Sequence, residues 1–140
     1  MSAELRALLA ACAPRIDRRT YVFTHIGHDA PVPLTAVSVM REEEGTSLVM
    51  REGDADALGL IKAFPCNLIT LGVHSNLDSI GLLARITSEL AAAGISVNPV
   101  AAFHHDYLFV PPDRADEALA LLEALSSRVR ASLPNERESV

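Results

Sequence analysis

Three groups of residues in this chain could do chemistry. The first is Ser75-Asn76-Leu77-Asp78-Ser79-Ile80-Gly81, which sets hydroxyls, an amide and a carboxylate just ahead of an apolar run. Ser75 and Asp78 have the S-x-x-D spacing of a capping box, in which each side chain satisfies orphan backbone N–H groups at a helix start. The same helix start offers unpaired N–H groups and a positive dipole end, which suit a carboxylate. Gly81 has no Cβ and so lets another backbone approach closely, or allows tight helix–sheet packing. The second group is His25 with His28, and the third is His104-His105-Asp106. Imidazole and carboxylate are zinc ligands, but zinc wants three or four of them converging tetrahedrally. Adjacent residues on a strand point to opposite faces, so His104 and His105 are not expected to chelate one ion. Asp106 is better read as fixing a His tautomer at a hairpin end.

Catalytic signatures do not emerge. The sequence has no Gly-x-Ser-x-Gly elbow, no phosphate-cradling Gly-x-x-x-x-Gly-Lys, no dinucleotide fingerprint and no H-E-x-x-H. Ser75 and His74 are sequence neighbours on a strand end and are expected to face apart. Glu42–Glu44 reads as a solvated acidic turn. No acid, base and nucleophile can be assembled. The expectation is a protein without catalysis of its own, needing no cofactor and no metal.

The elements that must position these residues follow from periodicity. Leu5, Leu8, Leu9 and Cys12 recur at helical spacing over Ala3–Ala13, and Pro14 stops that helix. Tyr21–Ile26 is a β-rich run followed by a breaker-filled loop, Gly27–Pro33. Leu34–Met40 and Thr46–Met50 pair as a hairpin across Glu42–Gly45. Gly53–Phe64 reads as a helix opened by Asp54 and Asp56 and weakened at Gly59, with Pro65 closing the segment and marking a module boundary. Beyond it, Asn67–His74 is a strand with Ile69, Leu71 and Val73 on one face. A helix follows with Ile80, Leu83, Thr87 and Leu90 along its apolar stripe and Gly94 as its left-handed cap. Ile95–Phe103 is a strand that Pro99 confines to an edge or a bulge. Asp106–Val110 is the third strand, and Pro111–Pro112 breaks it. Asp113 caps a last helix with Ala115, Leu119, Leu122 and Leu125 inward, and the chain frays from Ser126 onward.

This second half is β-α-β-β-α, the start of a ferredoxin-like β-α-β-β-α-β unit whose first crossover leads to a parallel neighbour. The first half, α-β-β-β-α, is a degenerate companion. The expected fold is α+β: residues 1–64 and 65–130 as two modules, an antiparallel-rich sheet with helices on one face, and 131–140 as a frayed tail.

Composition narrows the partners. The chain has 140 residues, 49% hydrophobic and 21% charged, which is a globular balance. It has no Trp, four Phe and two Tyr, so its core must be mainly aliphatic. Its formal net charge of -6 argues against nucleic acid, whose phosphates call for a Lys/Arg surplus. Glu4 and Arg6 interrupt the apolar N-terminal stretch, so neither a signal peptide nor a membrane span is expected there. Cys12 and Cys66 have no CxxC partner and read as buried thiols in a reducing compartment, the cytoplasm.

The stretch Ile69–Leu82, continued by Ala93-Gly94-Ile95-Ser96-Val97-Asn98, resembles the opening strand, acidic-plus-glycine loop, helix and second strand of an ACT domain. The closer similarity is to short bacterial stand-alone tandem-ACT proteins, which are like aspartokinase regulatory domains. Those carry His-Ser-x-Leu-x-x-x-Gly-Leu, here His74–Leu82, and His-Asp-x-x-Phe-Val-Pro, here His105–Pro111. Phe23–Gly45, with its Arg41-Glu42-Glu43-Glu44-Gly45 turn, is similar to their first module. The resemblance spans roughly Thr20–Leu125. Asn76 stands where a second Ser is common, and Tyr107 where His is common.

The resemblance implies two modules sharing a sheet, regulation through a bound amino acid, and a homodimer. It points to Ser75, Asn76, Leu77, Asp78, Ile80 and Gly81 as ligand contacts, with Asn98, His105 and Asp106 beside them. An amino acid offers a carboxylate and an ammonium a short distance apart. The helix start suits the first, and Asp78 could accept the second in a charge-assisted bond. Asn76 and Asn98 could meet a polar side chain. Ser75 and Asp78 could equally only cap the helix. Two rivals stand beside this reading. One is a dimerisation or interaction scaffold with no ligand, and the other a small metal-assisted enzyme using His25, His28, His104 or Asp106.

Overall fold

The computed structural model describes residues 1–134. Its elements run α1 (Ala3–Ala10), β1 (Pro14–Ile26), β2 (Ser38–Glu42), β3 (Gly45–Arg51), α2 (Glu52–Ala57), β4 (Ala63–Leu71), α3 (Leu82–Ala92), β5 (Asn98–Ala101), β6 (Asp106–Val110) and α4 (Ala115–Ser132). A 3-10 turn, Pro112–Arg114, leads into α4.

All six strands form one sheet in the order β2-β3-β1-β4-β6-β5, and every neighbouring pair is antiparallel. The α+β expectation therefore holds, but the parallel neighbour does not. β4 and β5 point the same way with β6 between them, so the crossover through α3 skips one strand. The short turn at His104-His105 pairs β6 with β5, and β6 also occupies the free edge of β4. The order β2-β3-β1-β4 is that of a ferredoxin-like unit in which the stretch between β1 and β2 holds no helix, leaving α2 alone. The second unit, β4-α3-β5-β6-α4, keeps both helices.

Several boundaries move for local reasons. α1 ends at Ala10, four residues ahead of Pro14, because the chain reverses through Ala13 at φ 45. β1 starts at Pro14, so the polar run Arg15–Thr20 is strand too. It is bulged, and Asn67 Nδ2 donates to the Arg18 and Arg19 carbonyls at 3.2 and 3.3 Å. β2 begins only at Ser38, leaving Leu34 exposed. α2 stops at Ala57, before Gly59 at φ 66. Pro65 closes nothing. It lies inside β4, at a register shift that also holds Phe64 at φ 49, and a bulge is where a central strand tolerates a missing N–H. The boundary at 64/65 thus falls within a strand. Pro99 does sit on an edge strand, β5.

α3 begins at Leu82, and its buried stripe is Leu82, Ile86 and Leu90 rather than the stripe through Ile80, which is 88% exposed. No side chain caps α4, so Asp113 belongs to the 3-10 turn. The inward face of α4 is Ala115, Ala118, Leu122, Leu125, Ser126 and Val129, with Leu119 only partly buried. The helix does not fray at Ser126, whose Oγ donates to the Ala10 carbonyl at 3.0 Å, joined there by Arg130 Nη1 at 3.0 Å. Of the expected tail, 135–140 lies outside the described residues.

The main core lies between α1, α3 and α4 and one face of the sheet, where Ile69, Leu71, Leu108 and Val110 are fully buried. α2 covers Val22 and Met50 on that same face. No helix is long and apolar enough to cross a membrane among the described residues.

Candidate functional site

The loop between β4 and α3 is held at both ends. Gly72 N–H donates to the Ala13 carbonyl at 3.1 Å, and a Cβ on Gly72 would stand 2.8 Å from that oxygen, so glycine is what allows the approach. At the other end Gly81 is the N-cap of α3 at φ 96, a backbone region that costs L side chains energy. A Cβ there would come within 3.1 Å of Leu5 on α1.

The capping-box reading of Ser75 and Asp78 does not survive. No side chain caps α3, Ser75 Oγ donates instead to Asp106 Oδ2 at 3.0 Å, and Asp78 is exposed. The helix starts at Leu82, six residues later than that spacing requires, because the chain must first turn through Gly81. Asp106 does not fix a His tautomer either. His105 is oriented by the Val73 carbonyl, 3.3 Å from its Nδ1, which makes Nδ1 the donor.

Between loop and helix lies a cavity of about 130 Å³. Ser75, Asn76, Leu77, Gly81 and Asp106 line it, so the structure brings five of the nine sequence-derived residues together. Asp78 and Ile80 are on the loop but outside the cavity, and His105 is one residue from Asp106 yet also outside. Asn98 stands on the helix-free face, where its register partner is Phe109. Leu82, Leu83, Ala84, Ser79, Ala101 and Ala102 complete the walls. Apart from Ser79, which belongs to the loop already singled out, these were missed because small and apolar residues carry no chemical signal, although Leu82–Ala84 was recoverable as the first turn of a helix.

The electrostatics are bipolar. Leu82, Leu83 and Ala84 are the first three residues of α3, whose N–H groups have no intrahelical acceptor, and no side chain caps them. Facing them is Asp106, 6% exposed. Burial, with the Asp106 carboxylate as the second cause, pushes the Cys12 thiol up to about 11, so Cys12 is an inert neutral thiol beneath the site. The cavity has room for roughly four waters at about 30 Å³ each, which suits a small zwitterion and not a drug-sized ligand.

The histidines fall into two separate places. His74 stacks edge-on against His105 at 4.5 Å between ring centroids and lies 5.6 Å from His104. His25 and His28 hold the β2–β3 hairpin through Nε2 contacts to the Glu44 and Glu43 carbonyls at 3.2 and 2.8 Å. Among the described residues no group of three or more His, Cys, Asp or Glu side chains is placed to hold a metal ion. The residues of the metal-assisted reading do not converge.

Residues 2–67 and 63–124 each match a family model described as ACT domain, and the two matches overlap inside β4. A Vibrio cholerae protein of unknown function, described as a possible transport protein, is 32% identical. Its crystal structure superposes with a TM-score of 0.75 over 88% of this chain and 96% of its own. A protein from Agrobacterium tumefaciens is similar at 20% identity, TM-score 0.68, over 81% of this chain and 87% of its own. The regulatory subunit of aspartate kinase from Thermus thermophilus shares the fold at 12% identity, TM-score 0.61, over 82% and 97%. No curated protein matches the sequence significantly.

Proposed function

This chain belongs to the ACT domain family, with a regulatory, ligand-binding role, and from that premise we propose that it binds a free amino acid in the cavity between the β4–α3 loop and α3. The observation that carries the reading is one buried carboxylate, Asp106, across a small cavity from an uncapped helix N-terminus. The ligand carboxylate sits at the N–H groups of Leu82–Ala84, and its ammonium at Asp106 with Ser75 beside it. Asp106 takes the part first assigned to Asp78. The protein acts by binding and carries out no reaction, in the cytoplasm.

A homodimer completes the proposal. Leu77, Ile80 and Phe103 are 69%, 88% and 79% exposed around the loop and the β5–β6 turn, and a second copy placed there would shield the ligand.

The test is a thermal-shift screen against the twenty amino acids. A ligand at about a hundred times its Kd adds about 2.7 kcal/mol, enough to raise Tm by several degrees. A rise with one or two amino acids supports the reading. No rise with any of them sinks it and leaves the ligand-free scaffold.

A further inference from the structure

The helix-free face of the sheet carries an unusual aromatic concentration for a chain with so few aromatics. Phe23 packs edge-on against Phe64 and Phe109 at 6.0 and 5.5 Å, and Tyr21 against Phe109 at 6.2 Å. Tyr21, Val49, Cys66 and Phe109 are at most 3% exposed, although every helix lies on the other side. The burial comes from the curl of the sheet. β2 and β5 are its opposite edges, with four strands between them, yet Ser38 of β2 and Val100 of β5 line the same two cavities. One cavity, about 330 Å³, is floored by Leu68, Tyr107 and Phe109. The other, about 420 Å³, is floored by Phe23 and Val49 and reaches Glu42 and Ser47. Together they form one groove between the sheet edges, with each part in the size range of small-molecule sites.

Charge selects the occupant. Glu42 is the single charged residue lining either cavity, and its Oε2 accepts from Ser47 Oγ at 2.6 Å. Among the described residues no Lys or Arg lines the groove, so an acid brought there would meet one carboxylate and no cation from them. We propose that this groove is a second ligand site, for an amphipathic amine with an aromatic or branched apolar body. The body lies over Phe109, Leu68 and Val100, and the ammonium meets Glu42 at the polar end. The polar groups of the two sites are distinct: Asp106 lines neither part of the groove, and the groove meets the Asp106 cavity only through Ala101 and Ala102.

The experiment titrates the full chain with tryptamine, and with indole-3-acetate as the anion of matched body, by calorimetry. The expected result is saturable tryptamine binding at least about tenfold tighter than indole-3-acetate, a gap of about 1.4 kcal/mol. Val100→Trp should fill the groove and abolish binding, and Ser38→Phe, on the opposite edge, should do the same if the first variant folds poorly. Glu42→Gln should weaken tryptamine severalfold, while Asp78→Ala, an exposed carboxylate that lines neither part of the groove, should leave it unchanged. Equal binding of amine and acid, or tryptamine binding that survives both groove-filling variants, would overturn the proposal. So would a dimer that either variant splits in the absence of any amine binding, because the face would then be a self-association surface.

Discussion

Asp106, at the start of β6, and Asp78, in the loop before α3, separate two roles that an acidic residue near a helix start can have. Asp106 is buried and bonded to Ser75, whereas Asp78 is exposed and caps nothing. Asp106→Asn keeps an acceptor for the Ser75 hydroxyl but removes the charge, so amino-acid affinity should fall tenfold or more, from about 1.5–3 kcal/mol for a charge-assisted bond. Asp78→Ala should change both affinity and Tm by little. Calorimetric titration beside thermal melts checks both, and the reverse pattern would return the ammonium to Asp78. Asp17 poses a separate residue-scale question. The Arg19 guanidinium, bonded to it at 2.6 Å, holds its carboxyl well below the ordinary 3.8, with the Tyr21 hydroxyl helping at 2.8 Å. A depressed folded value means stabilisation present above the unfolded value and lost as pH falls below it. Tm should therefore drop between about pH 5 and about pH 2, and Asp17→Asn should flatten that drop. Arg19 is largely exposed, so the effect is modest.

At the scale of elements, the start of α3 is the decisive piece. Gly81 at φ 96 puts the helix start at Leu82, two residues beyond Ile80, and leaves its first turn uncapped, facing the cavity. Gly81→Ala forces an L residue into the left-handed region, at about 1–2 kcal/mol. It also presses a Cβ toward Leu5 at 3.1 Å. The expected outcome is a lower Tm together with loss of amino-acid affinity beyond what the Tm change accounts for, read by melts and titration of the same variant. Unchanged affinity would mean that α3 is not the carboxylate site. α1 belongs to this element too, since Leu5 packs at Gly81, and the Cys12 and Ala13 carbonyls accept from Val73 and Gly72.

At the scale of the molecule, one sheet runs through both family-model matches, which overlap in the first part of β4. β1 pairs with β3 through one half and with β4 along its length, so neither unit has a complete sheet alone. Calorimetric unfolding should show one transition. Leu108→Ala, in a fully buried position of the second unit, should cost about 2–5 kcal/mol and lower that transition as a whole. Two resolved peaks, with one unmoved by the variant, would count against a shared cooperative core.

Much of this was legible from residues alone. The periodicities around Ile69–Leu71 and Leu122–Leu125 mark segments that must bury one side, and Gly94, at φ 72, ends α3 as glycine in that place should, although the sequence places the stripe along α3 through Ile80 rather than Leu82 and Ile86. Polar strand residues such as Arg15–Arg19 were invisible because local pattern reports burial, and a bulged strand on a shared sheet need not be buried. Pro65 reads as ending a helix for a related reason: it is the third residue of β4, where a register shift absorbs it, and such shifts depend on the strand alongside. Site chemistry divided the same way. Types and spacing brought out the Ser75–Gly81 loop and His105-Asp106, since a helix start and a hairpin end are local. Which carboxylate faces the cavity, and that Asn98 turns to the other face, depend on how β5 and β6 register against each other. That register is a long-range choice made by the whole sheet, where a one-residue slip reverses every side chain.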